Sequence, residues 1–167
     1  MALRKIICIE DELLRKKSRP VEKFDEKLHK LLDDMAETMY NANGVGLAAP
    51  QVGILRRAVV IDVGDGLVEL VNPVIVESDG QQSGPEGCLS IPGRSGVVTR
   101  PNHVKVRAQD PEGNPVELEA QEFFARAVCH ELDHLDGVLY VDKMDREILE
   151  GDEEYEPVDG DEEEDGE

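Results

Sequence analysis

Tryptophan is absent from this 167-residue chain, which contains only three phenylalanines and three tyrosines. Its core must therefore be built mainly from aliphatic side chains. Long apolar runs are missing too, since a stretch such as Ala58–Ile61 is far shorter than the roughly 20 residues that cross a bilayer. Residues 1–10 likewise hold no apolar segment long enough for a signal peptide. We expect a cytoplasmic protein that does not span or bind a membrane.

Cysteine is scarce, and the three cysteines are irregularly spaced, at Cys8, Cys88 and Cys129. In a cytoplasmic chain this odd number does not suggest a disulfide framework. Cys8 and Cys129 are expected to be small core residues. Cys88 lies between glycine and proline residues, in a segment that can present a thiolate on a rigid backbone.

Positive charge is in short supply, with 18 Lys and Arg against 38 Asp and Glu and a formal net charge of -20. Twelve of the acids lie in residues 150–167, which contain no Lys or Arg, so residues 1–149 carry 26 acids and 18 bases. Because residues 150–167 have little apolar content, they are predicted to be a disordered acidic tail after a single domain, 1–149. The acidic balance also argues against binding to DNA, since phosphate contacts reward basic surfaces.

Two helices and several short strands are predicted from hydrophobic periodicity. Apolar residues recur at three- and four-residue steps over residues 25–40 and again over 120–136, where Gly137 ends the second helix. Short β-branched runs lie between them, at 57–63, 68–71, 97–100, 104–108 and 116–118. The pattern predicts an α+β fold with small antiparallel sheets and one long N-terminal amphipathic helix.

The sharpest motif is His130-Glu131-Leu132-Asp133-His134, in the second predicted helix. Residues four apart lie on one face of a helix, so both imidazoles can bind one metal ion while Glu131 reaches water beside it. Hydrolytic sites of this kind usually have three protein ligands and an open position. The residues alone leave the third donor open between His103 and Cys88. Tyr140 stands where some enzymes with this motif place a third histidine.

A further segment, GVGLAAPQVG at 44–53, places Gly44 and Gly46 beside small apolar residues. Glycines in this setting allow a bound chain to approach the backbone closely. Gln51 adds a neutral side-chain donor next to them. The segment is therefore a candidate binding surface for an extended ligand.

Three motifs in the same order give the chain a family resemblance: GVGLAAPQ at 44–51, EGCLS at 86–90 and HELDH at 130–134. With these motifs, residues 1–149 resemble the bacterial peptide deformylases. The resemblance implies a catalytic metallohydrolase domain whose small antiparallel or mixed sheets pack around the C-terminal helix. It implies removal of the N-formyl group from the formylmethionine of newly synthesised proteins, with release of formate. It also implies that Cys88, His130 and His134 hold one divalent ion, ferrous iron in preference, with zinc, nickel or cobalt as alternatives.

Further roles follow from the chemistry of amide hydrolysis and from the resemblance. Glu131 can take a proton from water and return it to the departing amine. The negative charge that develops on the formyl oxygen needs donors, and the resemblance assigns these to the Gln51 side chain and the Leu89 backbone N–H. It assigns substrate pairing to Val45, Gly46 and Gly87, and a methionine pocket to Val45, Phe123, Ala127 and the His130 ring.

Other functions and partners remain open on the residues alone. The HExxH helix by itself would suit a zincin-like metalloendopeptidase, and the acidic tail would suit a noncatalytic interaction module. The resemblance implies N-formylmethionyl nascent peptides as the partner, with a transient ribosome contact. Family members that dock on the ribosome do so through a helical, sometimes basic C-terminal extension. The acidic tail disfavours that mode here, because ribosomal RNA would repel it.

Overall fold

The computed structural model describes residues 2–149, which form two helices and eight strands in two antiparallel sheets. The predicted α+β fold with two helices and antiparallel sheets is therefore confirmed, while the predicted tail lies outside the described residues. The helices are α1 (Glu26–Asn41) and α2 (Glu122–Leu135). The strands are β1 (Gly46–Ala48), β2 (Ala58–Ile61), β3 (Val68–Asp79), β4 (Gln82–Cys88), β5 (Ile91–Arg100), β6 (His103–Gln109), β7 (Pro115–Gln121) and β8 (Met144–Ile148).

The larger sheet, in the order β1-β2-β3-β6-β7, lies between the two helices. Successive side chains of a strand point to opposite faces of the sheet. In β2, Val60 packs in the apolar cluster that contains α1, whereas Val59 and Ile61 pack in the cluster that contains α2. All four residues of β2 are therefore buried, which accounts for its continuous apolar run.

Local sequence signals mark the start of α1 and the end of α2, whereas α2 begins at Glu122, two residues later than predicted. The Asp25 side chain caps α1 by accepting a hydrogen bond from the backbone N–H of Leu28. The buried stripe of α1 includes Leu32, Met35 and Met39, in keeping with the predicted amphipathic pattern. After α2, Gly137 adopts a left-handed conformation with φ of 75°, a common way to end a helix.

The smaller sheet, in the order β4-β5-β8, is built on the β4–β5 hairpin. Arg126 of α2 donates hydrogen bonds to the carbonyl oxygens of Gly84 in β4 and Val98 in β5. The opposite side of α2 packs on the larger sheet through residues such as Val128 and Leu132. Helix α2 therefore contacts both sheets, and it carries the HExxH motif.

Several strand boundaries differ from the predictions. β3 was predicted to end at residue 71 but continues to Asp79, because Asn72 adopts a positive φ of 52° and the ladder resumes beyond an irregularity. The Asn72 side chain accepts a hydrogen bond from the N–H of Val21 and donates one to the carbonyl oxygen of Val21. The predicted strand at 97–100 is the end of a longer β5. Strands β1, β4 and β8 were not predicted, because their glycines, prolines and charged residues interrupt the alternation of apolar and polar residues that is typical of a strand.

Among residues 2–149, neither helix combines the length and the apolar character that crossing a membrane would require. This agrees with the lack of long apolar runs in the sequence.

Replacing Gly137 by alanine should destabilise the fold more than the same change at Gly53. Both glycines have positive φ, 75° and 85°, but a Cβ at Gly137 would collide with the backbone carbonyl of Arg15, whereas a Cβ at Gly53 meets nothing within 4 Å. We expect G53A to lower the free energy of unfolding by about 1–2 kcal/mol, and G137A by about 1–3 kcal/mol more. Urea unfolding of both variants measures the difference; equal losses would contradict the predicted collision.

The pKa of His103 should depend on Glu119. The ring Nε2 of His103 lies 2.8 Å from Glu119 Oε1, and this hydrogen bond raises the pKa of His103 above its ordinary value. The folded state thus favours the protonated ring. The contribution of the His103–Glu119 pair to the stability of the fold is fully present below about pH 6.5, and it is lost as the pH rises through the folded-state pKa of His103. An NMR titration should show a lower His103 pKa in Glu119→Gln, and an unchanged one in Glu112→Gln, which alters a neighbour of His29 instead.

Candidate metal centre and the cavity around it

The structure brings three potential metal donors together from two distant parts of the chain. Helix α2 presents His130 and His134 one turn apart, and the end of β4 presents Cys88. Their ligand atoms all lie within 4.8 Å of one another, and Cys88 Sγ is 3.3 Å from His134 Nε2. One thiolate and two imidazoles form a donor set that suits iron, zinc, nickel and cobalt.

The buried polar atoms around these donors fit a divalent ion. Nδ1 of His130 lies 2.9 Å from Glu86 Oε1, so Nε2 is the ring nitrogen left for an ion. His134 is 1% exposed, and its Nδ1 has no hydrogen-bond partner among the described residues. A carboxylate behind a ligating histidine is a frequent support in metal sites, where it fixes the orientation of the ring.

Glu86 lies at the centre of a buried network of charged side chains. Its Oε1 accepts from Arg100 Nη2 and its Oε2 from Arg100 Nε, both at 2.9 Å, and Oε2 also accepts from Arg126 Nη1 at 2.7 Å. Burial alone would raise the pKa of Glu86, but the hydrogen bonds from Arg100 and His130 lower it to about 2. Glu86 is therefore ionised at neutral pH and holds the His130 ring in place.

Glu131, between the two histidines, is the buried carboxylate closest to them in sequence. Burial raises its pKa to about 7, and its Oε1 has no hydrogen-bond partner among the described residues. Gly46 leaves the room that this carboxylate needs, because a Cβ there would collide with Glu131 Oε2. A carboxylate in this setting is suited to exchange protons near neutral pH.

The side-chain amide of Gln51 is held in one orientation. Its Oε1 accepts from the backbone N–H of Ala48 at 3.0 Å, and its Nε2 donates to Ser90 Oγ at 3.1 Å. Nε2 also lies 3.5 Å from Cys88 Sγ. The NH₂ group of Gln51 therefore faces the cysteine, and its carbonyl oxygen faces away.

A cavity of about 340 Å³ opens beside the three donors. Of the residues predicted to act in the site, only His134 is absent from its lining; those present are Val45, Gly46, Gln51, Gly87, Cys88, Leu89, Phe123, Ala127, His130 and Glu131. β1 and β4 are edge strands of their sheets, and both contribute to the walls. Val45 and Phe123 are 40% and 53% exposed, so apolar surface is open to solvent here.

His103, the alternative third donor, does not join the cluster. Its ring lies against Glu119 and Asp79 at the start of β6. Of the two candidates left open by the sequence, the structure therefore brings Cys88 to the histidines. Tyr140 packs nearby, with its ring stacked 6.2 Å from that of His130.

Sequence reasoning missed the residues that support the donors. Glu86 and Ser90 lie within the EGCLS motif, but nothing in the motif shows that they contact His130 and Gln51. A signal did exist for Arg126, because an arginine on the buried face of α2 must have an acidic or carbonyl partner.

Comparison with known proteins places the chain in a family. The family model described as polypeptide deformylase matches residues 3–148. The peptide deformylase of Caldicellulosiruptor bescii is 62% identical over 150 residues, which cover 90% of each chain. Peptide deformylase 1 of Clostridium acetobutylicum is 62% identical over 144 residues, covering 86% of this chain and 96% of that protein.

Solved structures agree with this assignment. The crystal structure of peptide deformylase from Thermotoga maritima matches with a TM-score of 0.84 and 46% identity, over 85% of this chain and 97% of that one. The Synechococcus elongatus enzyme, in complex with actinonin, matches with a TM-score of 0.83 and 40% identity, over 86% and 79% of the two chains. None of these matches supports the metalloendopeptidase alternative. The chain belongs to the polypeptide deformylase family.

Proposed function

We propose that Cys88, His130 and His134 hold the divalent ion with which this peptide deformylase removes the formyl group from N-formylmethionyl peptides. The observation that carries the proposal is the convergence of one sulfur and two imidazole nitrogens within 4.8 Å, beside a buried carboxylate and an open cavity. Ferrous iron is the preferred ion, and zinc, nickel and cobalt suit the same donors. When bound, such an ion acts as a Lewis acid that lowers the pKa of water toward about 7.

Glu131 is the general base and acid of the reaction. Its carboxylate takes a proton from the attacking water and returns it to the amine nitrogen as the formyl C–N bond breaks. The products are formate and a peptide with a free amino terminus. Because Glu131 Oε1 has no competing hydrogen bond among the described residues, the oxygen is available for this transfer.

Gln51 and Leu89 stabilise the negative charge that develops on the formyl oxygen. The NH₂ group of Gln51 faces Cys88, and Leu89 follows Cys88 in the turn between β4 and β5. Donors placed in advance in a water-poor site lower the barrier without reorganising during the reaction. The loss of one such donor typically lowers turnover by about 10²–10³-fold.

The substrate chain binds between two strand edges. Gly46 begins β1, with Val45 directly before it, and Gly87 belongs to the β4 edge, so an extended peptide can add its backbone hydrogen bonds to both sheets. Val45, Phe123, Ala127 and the His130 ring form the pocket for the methionine side chain. Actinonin, the ligand named for the Synechococcus enzyme, is expected to bind in the same cavity.

The cellular setting follows from the substrate. Because formylated chains are newly made proteins, the enzyme is proposed to act in the cytoplasm on nascent peptides. Residues 1–149 are proposed to be the catalytic domain, which the acidic tail, 150–167, follows in the sequence. The twelve acids of this tail would be repelled by ribosomal RNA, so any transient ribosome contact uses another surface.

Changes at Glu131 and Cys88 should separate chemistry from ion binding. We expect Glu131→Gln to retain one ion per chain but to release formate about 10²–10⁴-fold more slowly, because the proton carrier is lost. Cys88→Ala should lose the ion. Cys129→Ala, which removes a buried thiol outside the cluster, should keep both the ion and the wild-type rate of formate release. The measurements are metal analysis and formate release from a formyl-Met peptide without oxygen. No formate from iron-loaded wild type, or full activity in Cys88→Ala, would overturn the proposal.

Gly46→Ala should displace the catalytic carboxylate while leaving the ion in place. The added Cβ would collide with Glu131 Oε2, and a shift of about 1 Å in a reacting group can lower the rate about 10²-fold. The expected result is a lower kcat with one ion still bound per chain. Gly64→Ala is the control for a change of glycine away from the site, because a Cβ there meets nothing within 4 Å and its only cost is backbone strain at a φ of 111°. A Gly46→Ala enzyme with wild-type kcat would contradict the assigned position of Glu131.

A further inference from the structure

We propose that Arg126 is a positioning residue for the metal centre: it holds the β4–β5 hairpin, which supplies Cys88, against α2, which supplies both histidines. This inference rests on the proposed roles of Cys88, His130 and His134. Arg126 itself is not among the predicted ligands or proton carriers, and it is only 5% exposed.

The hydrogen bonds of Arg126 converge from three strand positions on one nitrogen. Its Nη1 lies 2.7 Å from Glu86 Oε2, 3.0 Å from the Val98 carbonyl oxygen and 3.4 Å from the Gly84 carbonyl oxygen. Glu86 and Gly84 belong to β4, and Val98 belongs to β5. A single guanidinium therefore ties both strands of the hairpin to α2.

Arg126 also acts on a metal ligand through Glu86. Arg126 and His130 are four residues apart on α2, so they lie on one face of the helix, one turn apart. Glu86 spans that turn, with Oε2 on Arg126 and Oε1 on His130 Nδ1 at 2.9 Å. Removing Arg126 would leave Oε2 with one hydrogen bond, from Arg100, instead of two, so the carboxylate that orients the His130 ring would be less firmly held.

Arg100 also joins the hairpin to α2, but by a separate contact with Asp133. Arg100 binds Glu86 through two nitrogens, but its Nη1 also donates to Asp133 at 2.7 Å, so its charge is shared between two carboxylates. Among the described residues, Glu86 is the only carboxylate that Arg126 contacts. The charge of Arg126 is thus paired with Glu86 and is not shared with a second carboxylate in this part of the chain.

The contacts of Arg126 leave one of its buried nitrogens without a partner. Nη2 is buried and has no hydrogen-bond partner in residues 2–149. A buried donor without a partner is unfavourable, so its retention calls for a reason. Arg126 also lines the cavity, and this places it beside the substrate as well as behind a ligand.

The test follows the loss of cobalt(II) from the cobalt-loaded full chain to an excess of chelator. We expect Arg126→Met to lose cobalt about 10–100-fold faster than wild type, the usual effect of removing a support behind a ligand. The sulfur-to-cobalt charge-transfer band should also shift or weaken, because the hairpin carrying Cys88 is less firmly held. Arg4→Met is the matched control, since Arg4 pairs with the buried Asp34 away from the cavity.

A double-mutant cycle distinguishes action through Glu86 from a general loss of packing. In a Glu86→Gln background, Arg126→Met should accelerate cobalt loss by a smaller factor than in wild type, because only the contacts with the Gly84 and Val98 carbonyl oxygens remain to be lost. If Arg126→Met does not fold, Arg126→Lys and Gly84→Ala carry the same test. The lysine keeps the charge but cannot reach all three acceptors, and a Cβ at Gly84 would lie 3.3 Å from Arg126 Nη2. Both should lose cobalt faster than wild type.

Two results would overturn the inference. One is a rate of cobalt loss in folded Arg126→Met equal to that of wild type, and the other is an equal acceleration with and without Glu86. Failure of the proposed metal site looks different: wild type would bind no cobalt, or Cys88→Ala would bind it as tightly. If wild type binds cobalt, Cys88→Ala does not, and Arg126→Met behaves as wild type, only the role of Arg126 is wrong.

Discussion

The contact between the β4–β5 hairpin and α2 is the constraint on which the site depends. The sulfur donor belongs to the hairpin and the imidazole donors belong to the helix, so the three ligand atoms meet only while these elements stay together. Glu86 joins the hairpin to His130, and Arg100 of β5 joins it to Asp133 of α2. Burying so many charges is costly unless each is paired. Here each oxygen of Glu86 accepts two hydrogen bonds, which keeps the carboxylate ionised and its position defined.

The two sheets contribute different parts of the site. The larger sheet, between α1 and α2, gives the aliphatic core that fixes α2 in the domain. The smaller sheet brings Cys88 to that helix. The edge strands of the two sheets, β1 and β4, both line the cavity, which is where we propose that an extended formylated peptide binds. Chemistry and substrate binding thus depend on the same arrangement of sheets around one helix.

Local pattern was enough to predict the helices and the pair of histidines, because each leaves a periodic or spaced signal. The apolar stripe of α1 and the histidine spacing in α2 are visible in single segments of the chain. β4 and β8 leave no such signal: β4 contains two glycines and a proline, and β8 pairs with β5 partly through the Arg94–Glu147 ion pair. The choice of Cys88 over His103 came only from the family resemblance. The supporting contacts of Glu86 join residues 14 to 44 positions apart, which no local pattern can reveal.

X-ray absorption spectroscopy of the iron- or zinc-loaded full chain tests the central claim most directly, since it reports the atoms bound to the ion. With zinc, the account predicts one sulfur at about 2.3 Å and two imidazole nitrogens at about 2.0–2.1 Å, with further coordination from oxygen. The sulfur contribution should disappear in Cys88→Ala and persist in Cys129→Ala. A wild-type spectrum without sulfur, or one with a single imidazole, would contradict the assignment of Cys88, His130 and His134 as joint ligands of one ion.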